Sequence, residues 1–187
     1  MSTEQRRPLL VDVTDLRRRP AIRAPLVVEV ALADLATTGA SVPAGGRVHV
    51  ETELESVPDG VVATGTVSAP WTAQCRRCLT AVAGDLAVAL REVFEDQPDE
   101  AAGILPIVDM HVDLEPPVRD AVLLHLPLAP LCRDDCQGLC ATCGADLNEG
   151  DCGCEPEAGD PRWAALNELD FDDESAGSDG GEVGGEG

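Results

Sequence analysis

The eight cysteines are the residues of this sequence whose type and spacing point most directly to chemistry. Cys75 and Cys78 form one C-x2-C pair, and the other six lie in one short segment: Cys132, Cys136, Cys140, Cys143, Cys152 and Cys154. The first residues are polar and lack the apolar run of an export signal, so we expect a reducing compartment in which thiols stay free. Clustered thiolates are preferred ligands of structural zinc. The sequence therefore predicts zinc binding.

The spacing allows two ways of dividing the cysteines between two four-thiolate sites. The first makes one local site, in which Gly144 is free to adopt the positive φ that follows a zinc knuckle, from Cys140, Cys143, Cys152 and Cys154. The remaining four, Cys75, Cys78, Cys132 and Cys136, then form a second site that clamps the C-terminal segment to the sheet. The alternative joins Cys132 and Cys136 to Cys140 and Cys143, and leaves Cys75 and Cys78 with Cys152 and Cys154. Both divisions predict two structural zinc ions.

A redox function is the main alternative use of these thiols. In Cys75-Arg76-Arg77-Cys78 the two arginines would lower the thiol pKa and favour a thiolate, as in a thiol-redox or metal-sensing protein. Nothing else in the sequence indicates the βαβ unit of a redox domain. All-cysteine zinc sites are closed and structural, and no nucleophile elbow, phosphate loop or dinucleotide fingerprint is present. We therefore predict no enzyme activity, no catalytic residue, no small-molecule substrate and structural roles for His49, His111 and His125.

The charge of the chain restricts its partners. It carries 35 acidic residues and 13 basic residues, for a net charge of -22. Every basic residue is an arginine. Such a surface repels phosphate at long range, which argues against general nucleic-acid binding and favours basic proteins as partners. Local positive charge remains at Arg17, Arg18 and Arg19 and at Arg76 and Arg77, which are the candidate RNA contacts unless they only offset acidic neighbours. No apolar stretch is long enough to span a bilayer, so we expect a cytoplasmic protein without a membrane partner.

The clearest secondary structure is an antiparallel β-meander. Residues 47–55 alternate between apolar and charged side chains, which predicts a strand with one buried face. Pro58-Asp59-Gly60 predicts a turn, with a positive φ at the glycine, that leads into a second strand over 61–71. A third strand is predicted over about 82–94, with the Cys75–Cys78 pair in the preceding connection. Shorter strands are expected at 9–13 and 25–30, and an edge strand at 109–113.

One main helix follows the meander. Asp113 is the expected N-cap, Glu115 and two prolines occupy the first turn, and Pro127 stops the helix. The predicted fold class is α+β, with this sheet and helix over residues 1–130 and a cysteine-rich zinc-knuckle module over 131–169. That module ends in a short helix at 162–169. Residues 170–187 form an acidic tail that we expect to be disordered.

These motifs together resemble the bacterial YceD family, the large ribosomal RNA subunit accumulation proteins. The resemblance rests on Cys75-Arg76-Arg77-Cys78-Leu79, on Asp113-Leu114-Glu115, and on the run from Leu126 to Cys132. It continues through Cys136-Gln137-Gly138-Leu139-Cys140, Cys143-Gly144, Leu147-Asn148, Cys152-Gly153-Cys154 and the run from Asp160 to Leu166. It spans roughly residues 8 to 169, and its cysteine-rich part is the most specific.

The resemblance implies a non-enzymatic role in making or stabilising 23S ribosomal RNA. The expected partner is then a pre-ribosomal large subunit, contacted through 23S rRNA or through a basic ribosomal protein. Two alternatives stay open on the residues alone. One is the thiol-redox or metal-sensing protein, and the other is a zinc-containing nucleic-acid-binding regulator, which requires the arginines to cluster on one face.

Overall fold

The computed structural model describes residues 7–19 and 22–155 of the chain. Its strands, in chain order, are β1 (Leu10–Asp12), β2 (Arg23–Val30), β3 (Ala40–Ser41), β4 (Val48–Val57), β5 (Gly60–Gln74), β6 (Ala81–Glu95), β7 (Leu105–Pro106) and β8 (His111–Asp113). The helices are α1 (Thr14–Arg17) and α2 (Glu115–His125), with a 3-10 turn at Glu100–Ala102. The predicted helix at 162–169 and the acidic tail lie outside the described residues.

The main sheet contains the predicted meander. Its strand order is β2-β4-β5-β6-β7, with β3 also paired to β5. The pairs are antiparallel except for the short parallel pair of β6 and β7. The long β5–β6 hairpin extends past the end of β4, and its turn carries Cys75 and Cys78. The α+β fold class is therefore confirmed.

Strand β4 shows why the alternating pattern identified the sheet. Val48, Val50 and Leu54 are buried, while Glu51 and Glu53 on the other face are exposed. Burying each of these apolar side chains contributes on the order of 1.5–3 kcal/mol. Thr52 continues the buried row although it is polar, and its Oγ1 has no hydrogen-bond partner among the described residues.

The turn between β4 and β5 corrects one expectation about Gly60. This residue does not have a positive φ; it is already the first residue of β5 and pairs with Glu95 of β6. A Cβ at this position would lie 1.8 Å from the carbonyl oxygen of Phe94. Glycine is therefore needed here for the close approach of the neighbouring strand rather than for its backbone angle.

Helix α2 covers the inner face of the sheet and completes the core. Pro117, Val118 and Val122 are its buried residues, and the helix packs on β5 and β6. Because the chain has only two phenylalanines and no tyrosine, valine, leucine and alanine supply most of this core, with Phe94 the largest fully buried side chain. Neither helix in the described part of the chain is long and apolar enough to cross a membrane.

Two expectations, one about the strand before α2 and one about the N-cap of this helix, were wrong in detail. The predicted edge strand, β8, pairs with β1 in a separate two-stranded sheet and does not extend the main sheet. Asp113 precedes the N-cap position, which Leu114 occupies. The Asp113 carboxylate nevertheless accepts a hydrogen bond from the backbone N–H of Glu115 at 3.0 Å, so it satisfies one of the free amides of the first turn.

Candidate metal centres

The structure brings the eight cysteines together as two groups of four. One group, called the first cluster here, is Cys75, Cys78, Cys132 and Cys136; the second cluster is Cys140, Cys143, Cys152 and Cys154. Within each group the sulfur atoms all lie within 4.8 Å of one another. This is the first of the two divisions that the spacing allowed. The alternative, which joined Cys132 and Cys136 to Cys140 and Cys143, is not the arrangement found.

The first cluster forms where the tip of the β5–β6 hairpin meets the segment that follows α2. The Cys75 N–H donates to the carbonyl of Thr80 at 2.8 Å and closes the hairpin. The Arg76 N–H donates to the carbonyl of Pro130 at 2.9 Å, which places the incoming segment beside the hairpin tip. Cys75, Cys78 and Cys136 are buried, with Val82 and Leu139 packed around them.

The sulfur distances in the first cluster fit a tetrahedral metal ion. Zinc–sulfur bonds of about 2.3 Å in a tetrahedron separate the sulfurs by about 3.8 Å. The Cys75 and Cys136 sulfurs are 3.8 Å apart, and the Cys78 and Cys132 sulfurs are 3.6 Å apart. Both distances join the hairpin to the downstream segment, so an ion here would cross-link two distant parts of the chain. A thiol-redox function would use the Cys75–Cys78 pair alone, whose sulfurs also lie within 4.8 Å of each other.

The second cluster is local and more open to solvent. None of its four cysteines is buried, and Cys143 is exposed. The Gly144 N–H donates to the carbonyl of Cys140 at 2.8 Å, and Gly144 has a φ of +72°, as expected for a residue that ends a knuckle. The Cys140 N–H in turn donates to the carbonyl of Ala145 at 2.8 Å. Both of these hydrogen bonds are local to the ligand turn.

Backbone amides set the protonation of the leading cysteine in each cluster. N–H groups of Cys78, and then of Arg77 and Cys132, lower the pKa of Cys75 to about 6 against the opposing effect of burial. The N–H groups of Cys143 and Thr142 likewise lower the pKa of Cys140 to about 6. The arginine charges, expected to favour the thiolate, are not among the main causes. The knuckle backbone does this instead, because its amides point at the sulfur.

One cysteine in each cluster, Cys132 in the first and Cys154 in the second, has a raised pKa instead. Burial, followed by the thiols of Cys136 and Cys78, raises the pKa of Cys132 to about 12. The thiols of Cys143 and Cys152, with a smaller contribution from burial, raise the pKa of Cys154 to about 12. Four thiolates therefore cannot coexist in either cluster without a compensating cation. A divalent soft cation supplies that charge, so the donor set fits zinc.

Asn148 lies between Cys143 and Cys152 in the chain and contacts a cysteine of the first cluster, a role that its place in the family motif Leu147-Asn148 did not reveal. Its side-chain amide donates to the sulfur of Cys136 at 3.5 Å, and its Oδ1 accepts from the backbone N–H of Gln137 at 2.8 Å. Oδ1 also accepts from Arg133 at 2.7 Å. Such outer contacts orient metal ligands. No spacing rule identifies a residue of this kind. Its role depends on the hydrogen bonds that its side chain donates and accepts in the folded chain.

The candidate RNA-contacting arginines have different surroundings. Arg17 forms an ion pair with Asp96, and its side chain is only 18% exposed. Arg18 lies 3.7 Å from Asp15. Arg77 donates to the carbonyl oxygens of Cys136 and Asp134, at 2.8 and 3.3 Å. Arg19 and Arg76 have no carboxylate within ion-pair distance among the described residues.

Comparison with known protein families assigns the chain. The family model described as Large ribosomal RNA subunit accumulation protein YceD matches residues 63–170, a segment that contains both clusters. The chain belongs to the YceD family. No solved structure matches this YceD chain.

Relatives of this YceD chain fall into two groups. It is 40% identical to an uncharacterized protein of Mycobacterium tuberculosis over 169 residues, which cover 87% of the chain and 81% of that protein. It is 36% identical to an uncharacterized protein of Mycobacterium leprae over 173 residues, covering 87% and 77%. A maize protein named large ribosomal RNA subunit accumulation protein YCED homolog 1, chloroplastic, is 40% identical over 52 residues, covering 27% of the chain and 18% of that protein.

Proposed function

We propose that this chain promotes accumulation of the large-subunit ribosomal RNA in a non-catalytic role, and that two structural zinc ions stabilise the part of the fold responsible. The observation that carries the proposal is the YceD family match over residues 63–170, which includes all eight cysteines. We place this action in the cytoplasm, with a pre-ribosomal large subunit as the partner.

Zinc is the metal that the donor chemistry supports. Four cysteines per cluster is a ligand set of closed, structural zinc sites, which leave no open position for a substrate. The eight proposed ligands are Cys75, Cys78, Cys132, Cys136, Cys140, Cys143, Cys152 and Cys154. In the first cluster the ion would fasten the segment after α2 to the hairpin tip. In the second it would hold together a segment that has almost no core of its own.

The arginine environment favours an assembly factor over a general nucleic-acid-binding regulator. Most described arginines are paired with carboxylates, as in Arg7 with Asp113 and Arg119 with Glu115. The chain as a whole carries a net charge of -22. A regulator that binds duplex nucleic acid through charge needs a continuous basic face, which these ion pairs and the net charge of -22 disfavour.

The direct experiment is depletion of the protein in its host, followed by measurement of the 23S to 16S rRNA ratio. We expect the ratio to fall and to recover when the wild-type gene is supplied. Complementation with Cys75→Ser should recover it poorly, because the first cluster cannot close. An unchanged ratio on full depletion would rule out the proposed function.

A further inference from the structure

A cleft beside the first cluster differs from the rest of the surface in its charge. It has a volume of about 680 Å³ and lies beside the loop at 36–39 with β3, the end of β5 to which β3 is paired, and the hairpin tip. Its lining contains no carboxylate, Arg76 is its one basic residue, and Cys75 of the first cluster lies buried at its base. This is unusual in a chain with 35 acidic residues among 187. Each of four other clefts in the described structure has at least one carboxylate in its lining.

The walls of the cleft present hydrogen-bonding side chains and no carboxylate. Thr38, Thr72 and Gln74 have exposed side chains. The loop is held against the segment after α2, since a Cβ at Gly39 would lie 2.5 Å from the carbonyl oxygen of Leu128. That same segment accepts the backbone N–H of Arg76 through Pro130. The loop and the hairpin tip are therefore both held in place by the segment after α2.

Arg76 and Arg77 have separate roles although they are adjacent in the sequence. Arg77 is occupied by the carbonyl oxygens of Cys136 and Asp134. Arg76 is exposed, has no ion-pair partner among the described residues and lines the cleft. A guanidinium with no carboxylate nearby is suited to a phosphate oxygen.

Leu79 lines the same cleft in a strained conformation. Its φ is +61°, a backbone region that leucine rarely adopts, and its side chain is 57% exposed. Its N–H donates to the carbonyl of Cys75 at 3.0 Å, so the turn is the same as the one that Gly144 completes in the second knuckle. Residues in such strained backbone regions cluster at functional sites. An exposed leucine beside an arginine offers an apolar surface to a nucleobase.

We propose that this cleft binds a single-stranded segment of RNA, with Arg76 on a phosphate, the hydroxyl and amide side chains on sugar or base edges, and Leu79 against a base. This proposal rests on the proposed function and names the site through which it contacts RNA. The cleft volume lies in the range of small-ligand sites, about 300–1,000 Å³, so a nucleotide can enter. Single-stranded RNA is the form whose bases are free for such contacts.

The test measures binding of a short, fluorescein-labelled single-stranded RNA of mixed sequence to the full-length, zinc-loaded protein by fluorescence anisotropy at low salt. Arg76→Ala and Thr38→Glu should each weaken binding about tenfold, the first by removing a charged hydrogen bond and the second by placing a carboxylate in the cleft. The slope of log affinity against log salt should fall by about 0.7 for Arg76→Ala, the value for one phosphate contact on a single strand.

Two matched variants control for charge alone. Arg91→Ala and Thr64→Glu make the same changes at a cross-strand pair on the open face of the sheet. Thr64 and Thr72 are eight positions apart on β5, or about 26 Å at roughly 3.3 Å per residue, so this pair lies far from the cleft. We expect binding by both controls to stay within about twofold of wild type. Equal losses in the controls and the cleft variants would overturn the proposal, as would absence of RNA binding by the wild-type protein.

Failure of this proposal can be distinguished from failure of the proposed function. If depletion lowers the 23S to 16S ratio and Arg76→Ala restores it as well as wild type does, the protein acts in rRNA accumulation but not through this cleft. If depletion leaves the ratio unchanged while the cleft variants lose RNA binding, the cleft binds RNA and the proposed function is wrong.

Discussion

The guanidinium of Arg77 donates a hydrogen bond to the carbonyl oxygen of Cys136 at 2.8 Å, across 59 positions of sequence. Arg77 lies between two cysteines of the first cluster, and Cys136 is the fourth cysteine of the same cluster. The Arg77 carbonyl also accepts the N–H of Leu139 at 3.1 Å. This residue therefore joins the hairpin tip to the downstream segment independently of any metal ion.

Arg77→Ala should lower the free energy of unfolding by about 1–2 kcal/mol, because a charged donor to a partly buried carbonyl is lost. The variant should also release its zinc faster to a chelator, since the two halves of the first cluster separate more easily. Arg76→Ala is the matched control and should change neither quantity. Urea unfolding and chelator-competition kinetics measure the two effects. Equal behaviour of the two variants would contradict the role assigned to Arg77.

Zinc binding should become tighter as the pH rises from 7 to 9. At pH 7 Cys75 and Cys140, with pKa values of about 6, are already thiolates. Cys132 and Cys154, with pKa values of about 12, still hold protons that they must lose to bind the metal. Since binding releases protons, raising the pH favours the bound state. Calorimetric titration of reduced, metal-free protein in buffers of different ionisation enthalpy measures the released protons, and a pH-independent affinity would contradict this account.

Thr52→Val should raise the free energy of unfolding by about 1 kcal/mol. The Thr52 side chain is 4% exposed, and its Oγ1 has no hydrogen-bond partner among the described residues. Valine has nearly the same shape and removes the unsatisfied hydroxyl. Thr66→Val on the exposed face of β5 is the control, with an expected change within about 0.5 kcal/mol. Destabilisation by Thr52→Val would show that the hydroxyl has a partner in solution.

Exchanging leucine and glycine in the turns after Cys78 and Cys143 should have opposite effects on stability. Leu79 and Gly144 occupy equivalent positions, with φ of +61° and +72°. Positive φ costs a leucine about 1–2 kcal/mol, and the greater unfolded-state freedom of glycine offsets about 0.5–1 kcal/mol of that. Leu79→Gly should therefore stabilise the protein by about 0.5–1 kcal/mol, and Gly144→Leu should destabilise it by a similar amount. Thermal unfolding measures both, and a destabilised Leu79→Gly would show that the leucine side chain packs in the folded protein.

The strands and the clusters were predictable for different reasons. In β4 the alternation of apolar and charged residues reports directly which face is buried, so the meander could be deduced from sequence. The cysteine spacing limited the clusters to two divisions but could not choose between them. That choice depends on where the segment after α2 meets the hairpin, as in the contact between Arg76 and Pro130.

Other features required the three-dimensional arrangement because they depend on contacts that no local pattern records. The role of Gly60 is set by the Phe94 carbonyl on the next strand, and the pairing of β8 is set by β1 rather than by the main sheet. The different contacts of the adjacent residues Arg76 and Arg77 likewise could not be deduced from the sequence. Arg77 contacts the segment after α2, whereas Arg76 lines the cleft.

The central claim is that the eight cysteines hold two zinc ions in the two clusters found. Native mass spectrometry of the reduced, full-length protein measures the metal content of each chain directly. We predict two zinc ions for the wild type, one for Cys75→Ser and one for Cys140→Ser, with the double variant metal-free. A folded wild-type protein that contains no metal after anaerobic purification would contradict this claim and favour the thiol-redox alternative.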